Sequence, residues 1–348
     1  MPRFVIDCER LKYPNTGLYT YCYELGRSLL QIVSPPEELY FYLPDKKITA
    51  FDGELSYRQK LWHKLWMPYS KDIQLWHTAY QSSGYYPRSR DVKMVLTIHD
   101  LNFLYKPYIV PRKPLKLSKV QRMIERADHI ITISNYVKQD VERNLDIGNK
   151  PLSVIYNGCD VKEFPGFNNP VYRPATPFLF TIGTILPKKN FHVLPALLKN
   201  TNYELIIAGN ENAAYQKRIM QEAALHGVSD RVRIVGPVSE EDKYWYYRHC
   251  TAFVFPSIAE GFGIPVVEAM HFGKPVFLSD KTSLPEIGGH LAYYFENFEP
   301  AYMQEVFRKG MEHYNNTQPI EQLIAHANSF RWTDIARQYL DIYHSLVS

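Results

Sequence analysis

Short apolar runs alternate with longer amphipathic segments along almost the whole chain. The first runs, each closed by a polar or glycine-rich turn, lie at 4–7, 39–43, 92–98, 129–133 and 153–156. The pattern restarts after residue 174, with runs at 178–183, 203–209, 231–235, 252–255 and 275–278. Helical segments separate these later runs, at 191–199, 213–226, 240–249 and 265–272. Apolar runs that alternate with helices predict β-α-β units and parallel sheets that are buried on both faces.

A proline-rich segment at 164–174 divides this pattern in two. It contains three prolines and one glycine, which predicts a linker. A chain of 348 residues also suits two domains of roughly 100–200 residues each. We therefore predict an α/β protein with a domain at 1–165, a second domain at 166–328 and a final helical segment at 329–348. Two doubly wound domains of this kind would face each other across a cleft, with ligands bound at the carboxyl ends of the strands.

The composition excludes several classes of protein. With 45% apolar and 14% aromatic residues, the chain is too hydrophobic to be disordered, and a net charge of +4 is low for a dedicated nucleic-acid binder. No run approaches the ~20 apolar residues of a membrane helix, and the N-terminus lacks a signal-peptide core. A cytoplasmic protein is therefore expected. The cysteines lie far apart, which predicts reduced thiols rather than a zinc site or a disulfide framework: Cys8, Cys22, Cys159 and Cys250.

Two segments of the first domain, 57–71 and 106–126, are rich in lysine and arginine. In the first of them the basic residues are interleaved with tryptophan and tyrosine, a pattern that suits an anionic membrane surface or a phosphorylated acceptor. The alternative interpretation is a solvated helix face with its aromatic side chains in the core. Both interpretations stay open from the sequence.

The most informative segment is EGFGIPVVEAM, at 260–270, which follows an apolar run. Two glycines let the backbone approach a ligand, and Pro265 suits the start of a helix. Backbone amides at such a helix start bind phosphate. Glu260 and Glu268 suit neutral hydroxyls beside that phosphate, which predicts a ligand that combines a diphosphate with sugar or ribose hydroxyls.

This segment resembles the E-x7-E signature of the retaining GT-B-type glycosyltransferases, a family that includes bacterial mannosyl- and glucosyltransferases of polysaccharide assembly. The resemblance implies a GT-B fold of two Rossmann-like domains, the first on the acceptor side and the second binding a nucleotide sugar. It also implies that the helix at 329–348 crosses back onto the first domain. The reaction implied is hexosyl transfer to a hydroxyl with retention at the anomeric carbon.

TIGTILPKKN, at 181–190, is similar to the phosphate-binding turn of the same family. Many relatives place arginine directly after the glycine, whereas this chain has Thr184 after Gly183. The positive charge is therefore expected from Lys188 and Lys189, which would neutralise the donor diphosphate. The chain has no D-x-D motif, so we expect no cofactor and no metal requirement.

The resemblance implies roles for further residues. Glu260, His99 and Lys189 are expected to be catalytic: Glu260 binds sugar hydroxyls, and His99, at the end of a strand, touches the sugar. A structural capping role is the alternative for His99. Glu268 would bind the ribose diol and Gly17 would leave room for phosphate. The remaining donor-binding positions are in backbone loops at Val238, Gly261, Phe262, Gly263 and Ile264.

The variant motifs are similar to those of bacterial mannosyltransferases of O-antigen assembly, which favours GDP-mannose as the donor. UDP-hexoses, dTDP-rhamnose and GDP-fucose stay open. A lipid-linked oligosaccharide at the inner membrane leaflet is the expected acceptor, with peripheral membrane contact and no nucleic-acid partner.

Three other functions are alternatives to this one. A nicotinamide dehydrogenase would need G-x-G-x-x-G after the first strand, where this chain has Asp7-Cys-Glu-Arg. A GT-B-fold sugar-nucleotide epimerase or hydrolase would share the architecture but not the E-x7-E segment. A catalytically silent partner protein would have lost the charged site residues.

Overall fold

The computed structural model describes residues 2–14, 16–44, 48–68, 71–105, 113–210 and 212–348, without the side chains at 113–114. The chain forms two compact units, one comprising 1–158 with 330–348 and the other 159–329. The proline-rich segment 164–174 therefore lies inside the second unit rather than between the two. Asn15 and the first third of the basic segment 106–126, at 106–112, fall outside the described residues, as do positions 69–70 of the other basic segment.

In the first unit, the described strands form one parallel sheet in the order β3-β2-β1-β4-β5-β6-β7. The strands are β1 Arg3–Asp7, β2 Glu38–Leu43, β3 Ser56–Arg58, β4 Leu75–Thr78, β5 Lys93–Ile98, β6 His129–Thr132 and β7 Leu152–Val154. The helices are α1 Gly17–Leu30, α2 Lys113–Arg126, α3 Asn135–Asn144 and the C-terminal helix Trp332–Val347. Short 3-10 helices lie at Glu9–Lys12, Leu61–Lys64 and Asn102–Leu104.

The C-terminal helix packs against α1 and the sheet of the first unit. Tyr21 on α1 donates a hydrogen bond to Tyr339 at 2.9 Å, and Tyr343 lies 2.7 Å from Nδ1 of His77 on β4. At Gly158 a side chain would meet the ring of Trp332 at 2.3 Å, so glycine is required there for the helix to approach. All these aromatic rings are buried, so the helix completes the core of this unit.

The second unit contains another parallel sheet, whose described strands run in the order β10-β9-β8-β11-β12-β13. The strands are β8 Phe178–Ile182, β9 Glu204–Ala208, β10 Val232–Gly236, β11 Ala252–Phe255, β12 Val276–Ser279 and β13 Tyr293–Phe295. The helices are α4 Ala213–Leu225, α5 Glu240–His249, α6 Ile264–His271, α7 Leu284–Gly288, α8 Pro300–Thr317 and α9 Ile320–Asn328. Further 3-10 helices lie at Pro187–Lys189, Phe191–Leu198, Ser229–Arg231 and Gly289–Leu291. Two doubly wound parallel sheets confirm the predicted fold class.

Some predicted elements differ from those observed. The segment 191–199, predicted as a helix, is the 3-10 helix Phe191–Leu198, because Pro195 in its middle cannot donate an α-helical hydrogen bond. The run at 153–156 begins earlier, as β7 Leu152–Val154. Strands β3, β4 and β13 were not predicted.

The basic segment 57–71 does not place its tryptophans in the core. Trp62 and Trp66 are exposed, so the interpretation as a solvated helix face with buried aromatics is wrong for these two residues. Helix α2 contains no aromatic residue; in its described part Val120 and Met123 are buried and Lys119 is exposed. Within the described parts of the chain, no helix has both the length and the apolar character needed to cross a membrane.

Candidate functional site

The E-x7-E segment begins at the carboxyl end of β11 and runs into α6. Glu260 lies in the loop and Glu268 on the helix, and both are buried. Gly263 directly precedes α6 with φ of 115°, a left-handed conformation in which a side chain would meet Leu284 at 2.9 Å. Pro265 lies in the first turn of the helix, as expected for a residue without an N–H. The segment therefore forms the predicted strand-loop-helix transition.

Lys189 and Glu260 form a buried ion pair at this edge of the sheet. Lys189 Nζ lies 2.6 Å from Glu260 Oε1 and 4.7 Å from the centroid of the Phe255 ring. Ser257 donates a second hydrogen bond, of 2.5 Å, to the same carboxylate oxygen. The two predicted catalytic residues of this unit thus meet, although 71 positions separate them in sequence.

Electrostatics keep the Glu260 carboxyl ionised. Burial by itself raises the pKa of Glu260, but the adjacent Lys189 and, further away, Lys188 outweigh burial and hold that pKa below its ordinary value. Burial lowers the pKa of Lys189, and the negative charge of Glu260 offsets only part of this lowering. A closely spaced pair of this kind places a positive charge and a fixed acceptor at one point of a water-poor site.

Backbone contacts hold the two loops of this pair together. The amide of Ile258 donates to the carbonyl of Lys188 at 2.9 Å, and the oxygen of the Ser257 hydroxyl lies 3.2 Å from the same carbonyl oxygen. Thr282 accepts from the amide of Glu260 at 3.1 Å, and Ser283 donates to the carbonyl of Phe262 at 2.8 Å. The loops after β8, β11 and β12 are therefore one hydrogen-bonded framework, which holds the Glu260 main chain.

Gly183, at the end of β8, makes room for Lys189. Its φ is 148°, and a Cβ there would lie 3.1 Å from Cε of Lys189. A Cβ on Gly209 would lie only 2.0 Å from the carbonyl oxygen of Gly183. Glycine is needed at both positions, and Gly209 was not identified from the sequence.

Glu268 has its own buried partners on α5. Lys243 Nζ lies 2.9 Å from Glu268 Oε1, and the Tyr247 hydroxyl donates to Oε2 at 2.8 Å. Burial lowers the pKa of Lys243, but Glu268 and other neighbours outweigh burial and raise it overall. Lys243 and Tyr247 lie one helical turn apart on α5, and nothing in their local sequence signals a partner on α6.

The other predicted donor-binding residues of this unit lie in loops at the same edge of the sheet. Thr184 is exposed after β8, and Lys188 is half-buried in the 3-10 helix that ends at Lys189. Val238 is half-buried between β10 and α5. The segment 261–264 carries the rest: Gly261 and Ile264 are half-buried, whereas Phe262 and Gly263 are buried. Their contacts with a donor stay predictions.

In the first unit, His99 directly follows β5 and is buried. Its Nε2 lies 2.9 Å from the carbonyl oxygen of Ala79, which can only accept, so Nε2 carries the proton and Nδ1 is an acceptor. Burial lowers the pKa of His99 to about 4, so the ring is neutral at pH 7. The Tyr21 ring packs edge-on against it at 4.5 Å. His99 is therefore suited to accept a hydrogen bond from a hydroxyl.

Gly17 is the first residue of α1, after the N-cap Thr16. The Thr16 hydroxyl accepts from the amide of Tyr19 at 3.3 Å. Gly17 is exposed, and a Cβ on it would meet no atom within 4 Å among the residues that the structure describes. This open helix start is compatible with the predicted space for phosphate, which stays a prediction.

Asp7, at the carboxyl end of β1, is a buried carboxyl that the sequence analysis did not assign to the site. It accepts from the hydroxyl of Ser83 and, at 3.0 Å, from the amide of Glu9. Burial, reinforced by the charge of Glu9, raises the pKa of Asp7 to about 7. The structural signal for this residue is its burial at the end of the first strand.

Asp7→Asn should make the first unit more stable at pH 8 and leave it unchanged near pH 4. Because the folded-state pKa of Asp7 lies above its unfolded value of 3.8, ionisation costs folding free energy as pH rises from about 4 to about 7. The variant should exceed the wild type in unfolding free energy by at most about 4 kcal/mol above pH 7. Urea-unfolding midpoints at pH 4.5 and 8 measure it, and equal differences at both pH values would contradict the shifted pKa.

In the described parts of the chain, no three or more His, Cys, Asp or Glu side chains come together in a way that could hold a metal ion. Ser257, Thr282 and Ser283 were not predicted from the sequence as residues of this site.

Comparison with known proteins agrees with this architecture. The model of the family "Glycosyl transferases group 1" matches residues 169–317, and that of "Glycosyltransferase Family 4" matches 21–163. "O-antigen chain mannosyltransferase B" of Escherichia coli is 24% identical, over 99% of this chain and 100% of that protein. "O-antigen chain mannosyltransferase RfbU" of Salmonella typhimurium is 28% identical, over 53% of this chain and 51% of that protein.

Among solved structures, the sucrose-phosphate synthase of Thermosynechococcus elongatus superposes with a TM-score of 0.77 at 17% identity, over 99% of each chain. At this identity the likeness supports the fold. Since the two family matches occupy most of the chain and both doubly wound sheets are present, the chain belongs to the group 1 glycosyltransferases and has the GT-B fold.

Proposed function

We propose that this glycosyltransferase transfers a hexose, with mannose favoured, from a nucleotide sugar to a hydroxyl of a glycan or lipid-linked oligosaccharide in O-antigen-type assembly. The observation that carries the proposal is the buried Lys189–Glu260 pair at the carboxyl edge of the second sheet. The two O-antigen mannosyltransferases that resemble this chain support mannose and GDP-mannose. The acceptor would bring the enzyme to the inner leaflet of the membrane.

The proposed reaction retains the anomeric configuration. The bond between the anomeric carbon and the leaving phosphate oxygen breaks, and a bond to the acceptor oxygen forms on the same face of the sugar. The acceptor proton passes to the leaving phosphate oxygen, so no protein side chain has to act as a strong base. The enzyme supplies charge stabilisation and orientation.

Each site residue has a role in this proposal. The Lys189 ammonium has three donor protons, so it can bond Glu260 and still donate to a diphosphate oxygen beside Lys188 and the loop amides of 261–264. Glu260, fixed by Lys189 and Ser257, accepts from sugar hydroxyls. Neutral His99 offers Nδ1 to a substrate hydroxyl.

Binding of nucleotides is the first test. In a thermal-shift panel of GDP, UDP, dTDP, ADP and NAD, GDP is expected to stabilise the protein most. A ligand at ~100 times its dissociation constant adds roughly 2.7 kcal/mol to stability. Stabilisation by UDP alone would contradict GDP-mannose and indicate a UDP-sugar donor. Stabilisation by NAD alone would contradict sugar transfer.

Sugar transfer itself can be measured with octyl α-mannoside as the acceptor. The donor is a radiolabelled nucleotide sugar that carries the nucleotide with the largest thermal shift. Nuclear magnetic resonance of the product reports the anomeric configuration, and an inverted product would contradict retention. Free sugar released by hydrolysis of the donor, or an epimerised sugar, as the only product would favour the hydrolase or epimerase alternative.

EDTA should leave transfer unchanged, because the lysines at 188–189 are proposed to carry the charge compensation at the leaving group. Initial rates of transfer, measured with and without an excess of EDTA at a fixed nucleotide-sugar concentration, check this expectation. Loss of activity that manganese or magnesium restores would contradict metal independence.

A further inference from the structure

Four large apolar side chains are exposed within six residues of the first unit. We name Leu61, Trp62, Leu65 and Trp66 the apolar patch; their exposed fractions are 79%, 45%, 74% and 63%. Single exposed apolar residues are normal on protein surfaces, but a cluster of this size on one segment marks an interaction surface. None of the roles proposed above for sugar transfer uses these residues.

The segment is anchored so that the patch faces outward. His63 and Met67 are buried, and Nδ1 of His63 lies 2.7 Å from the hydroxyl of Tyr42 on β2. Trp62 and Trp66 stack on the outside, with ring centroids 5.8 Å apart and planes 15° from parallel. The core contacts of His63 and Met67 therefore hold the four side chains of the apolar patch in solvent.

Positive charge surrounds the patch. Arg58, Lys60 and Lys64 are exposed, and residues 57–68 include no aspartate or glutamate. Arg58 and Lys60 have no ion-pair partner among the described residues, and together with Leu61 they line a pocket of about 680 Å³. Lys12 also lines this pocket and is paired with Glu9 at 2.6 Å. The patch thus borders a cationic pocket directly.

We propose that the apolar patch and its flanking cations dock the first unit onto an anionic lipid bilayer. Tryptophan rings partition into the headgroup region while leucines reach the acyl boundary, and nearby cations are attracted to anionic lipids. A second copy of the chain fits less well, because a two-fold contact through the patch would bring the same cations together. The proposal deepens the proposed function, on whose lipid-linked acceptor it rests.

Vesicle flotation with the full chain tests the docking surface without any sugar transfer. The protein should float with vesicles of about 70% phosphatidylcholine and 30% phosphatidylglycerol. With vesicles of pure phosphatidylcholine it should stay in the bottom fraction of the gradient. Trp62→Ser combined with Trp66→Ser should lower the partition coefficient by about tenfold or more. Arg58→Gln and Lys60→Gln should each lower it roughly fivefold.

Matched variants separate the patch from general surface effects. Leu225→Ser changes a 78% exposed leucine on α4 of the second unit and should float like the wild type. Lys217→Gln is the charge control on the same helix. Because Trp62 packs edge-on against His63, the more exposed Leu65→Ser tests the patch without disturbing that anchor.

Several results would overturn the proposal. These are absence of flotation with anionic vesicles, flotation of the tryptophan variant equal to wild type, and a dimer in sedimentation that the tryptophan variant abolishes while vesicles are not bound. Flotation without sugar transfer in the octyl mannoside assay would support docking while the proposed function fails. Transfer without flotation would leave the proposed function intact and overturn docking.

Discussion

Glu260→Gln is expected to reduce sugar transfer by a factor of about 10²–10³, the cost typical of losing one fixed electrostatic contact to a transition state. The amide keeps the size of the side chain and can still accept from Ser257, but it no longer carries the charge that holds Lys189. Lys189 would lose the position from which it is proposed to reach the diphosphate. Measured kcat/KM for the donor that the thermal-shift panel identifies reports the loss.

The same substitution should also lower the stability of the second unit. Breaking a buried ion pair by removing one partner costs about 3–5 kcal/mol, because the other charge stays buried without a partner. The pKa of Glu260 in the folded protein is depressed below its ordinary value of 4.5. The stabilisation from the ion pair is therefore complete at pH 7 and is lost as the pH falls through this depressed pKa. Adding Lys189→Met to Glu260→Gln should recover stability but not activity.

Glu204→Gln is the matched control for Glu260→Gln. Glu204 is also a buried carboxylate of the second unit, bonded by the hydroxyl of Tyr172 and the amide of Ala175, but it starts β9 at the amino edge of the sheet. It should lose stability and keep full turnover. If Glu260→Gln loses no more turnover than Glu204→Gln, Glu260 is a structural residue.

Glu268→Ala is expected to raise the donor KM by about 10–100-fold with a smaller change in kcat, since one charged hydrogen bond contributes ~1.5–3 kcal/mol. The proposed ribose contact is made equally in the ground state and in the transition state, so its loss mainly weakens binding. Lys243 would retain Glu240, at 2.9 Å, as a partner. The fold should therefore tolerate this change better than Glu260→Gln.

Lys243→Met and Tyr247→Phe test whether Glu268 has to be positioned. Each removes one hydrogen bond to the carboxylate and should raise the donor KM by a smaller factor than Glu268→Ala. Isothermal titration with the nucleoside diphosphate and with the free nucleoside gives the binding part separately. Unchanged affinity for both ligands in Glu268→Ala would remove the ribose role.

Most strands of the second unit are predicted within one or two residues. Parallel strands buried on both faces appear as continuous apolar runs, so composition alone marks them. Strand β4, Leu75–Thr78, was missed because His77 and Thr78 look polar in sequence. In the fold His77 is buried and bonds both Thr97 and Tyr343, partners that lie far away along the chain. A polar residue satisfied by distant partners cannot be recognised from its neighbours.

The sequence by itself determined the two doubly wound sheets and the position of the E-x7-E segment at a strand end, because periodicity and turn chemistry act between neighbouring residues. Only the tertiary structure decided that Lys189 pairs with Glu260 and that Lys243 holds Glu268. It also decided that Trp62 faces solvent. Partner choice depends on which strands lie side by side and on which residues anchor a loop, and both follow from packing between segments distant in sequence.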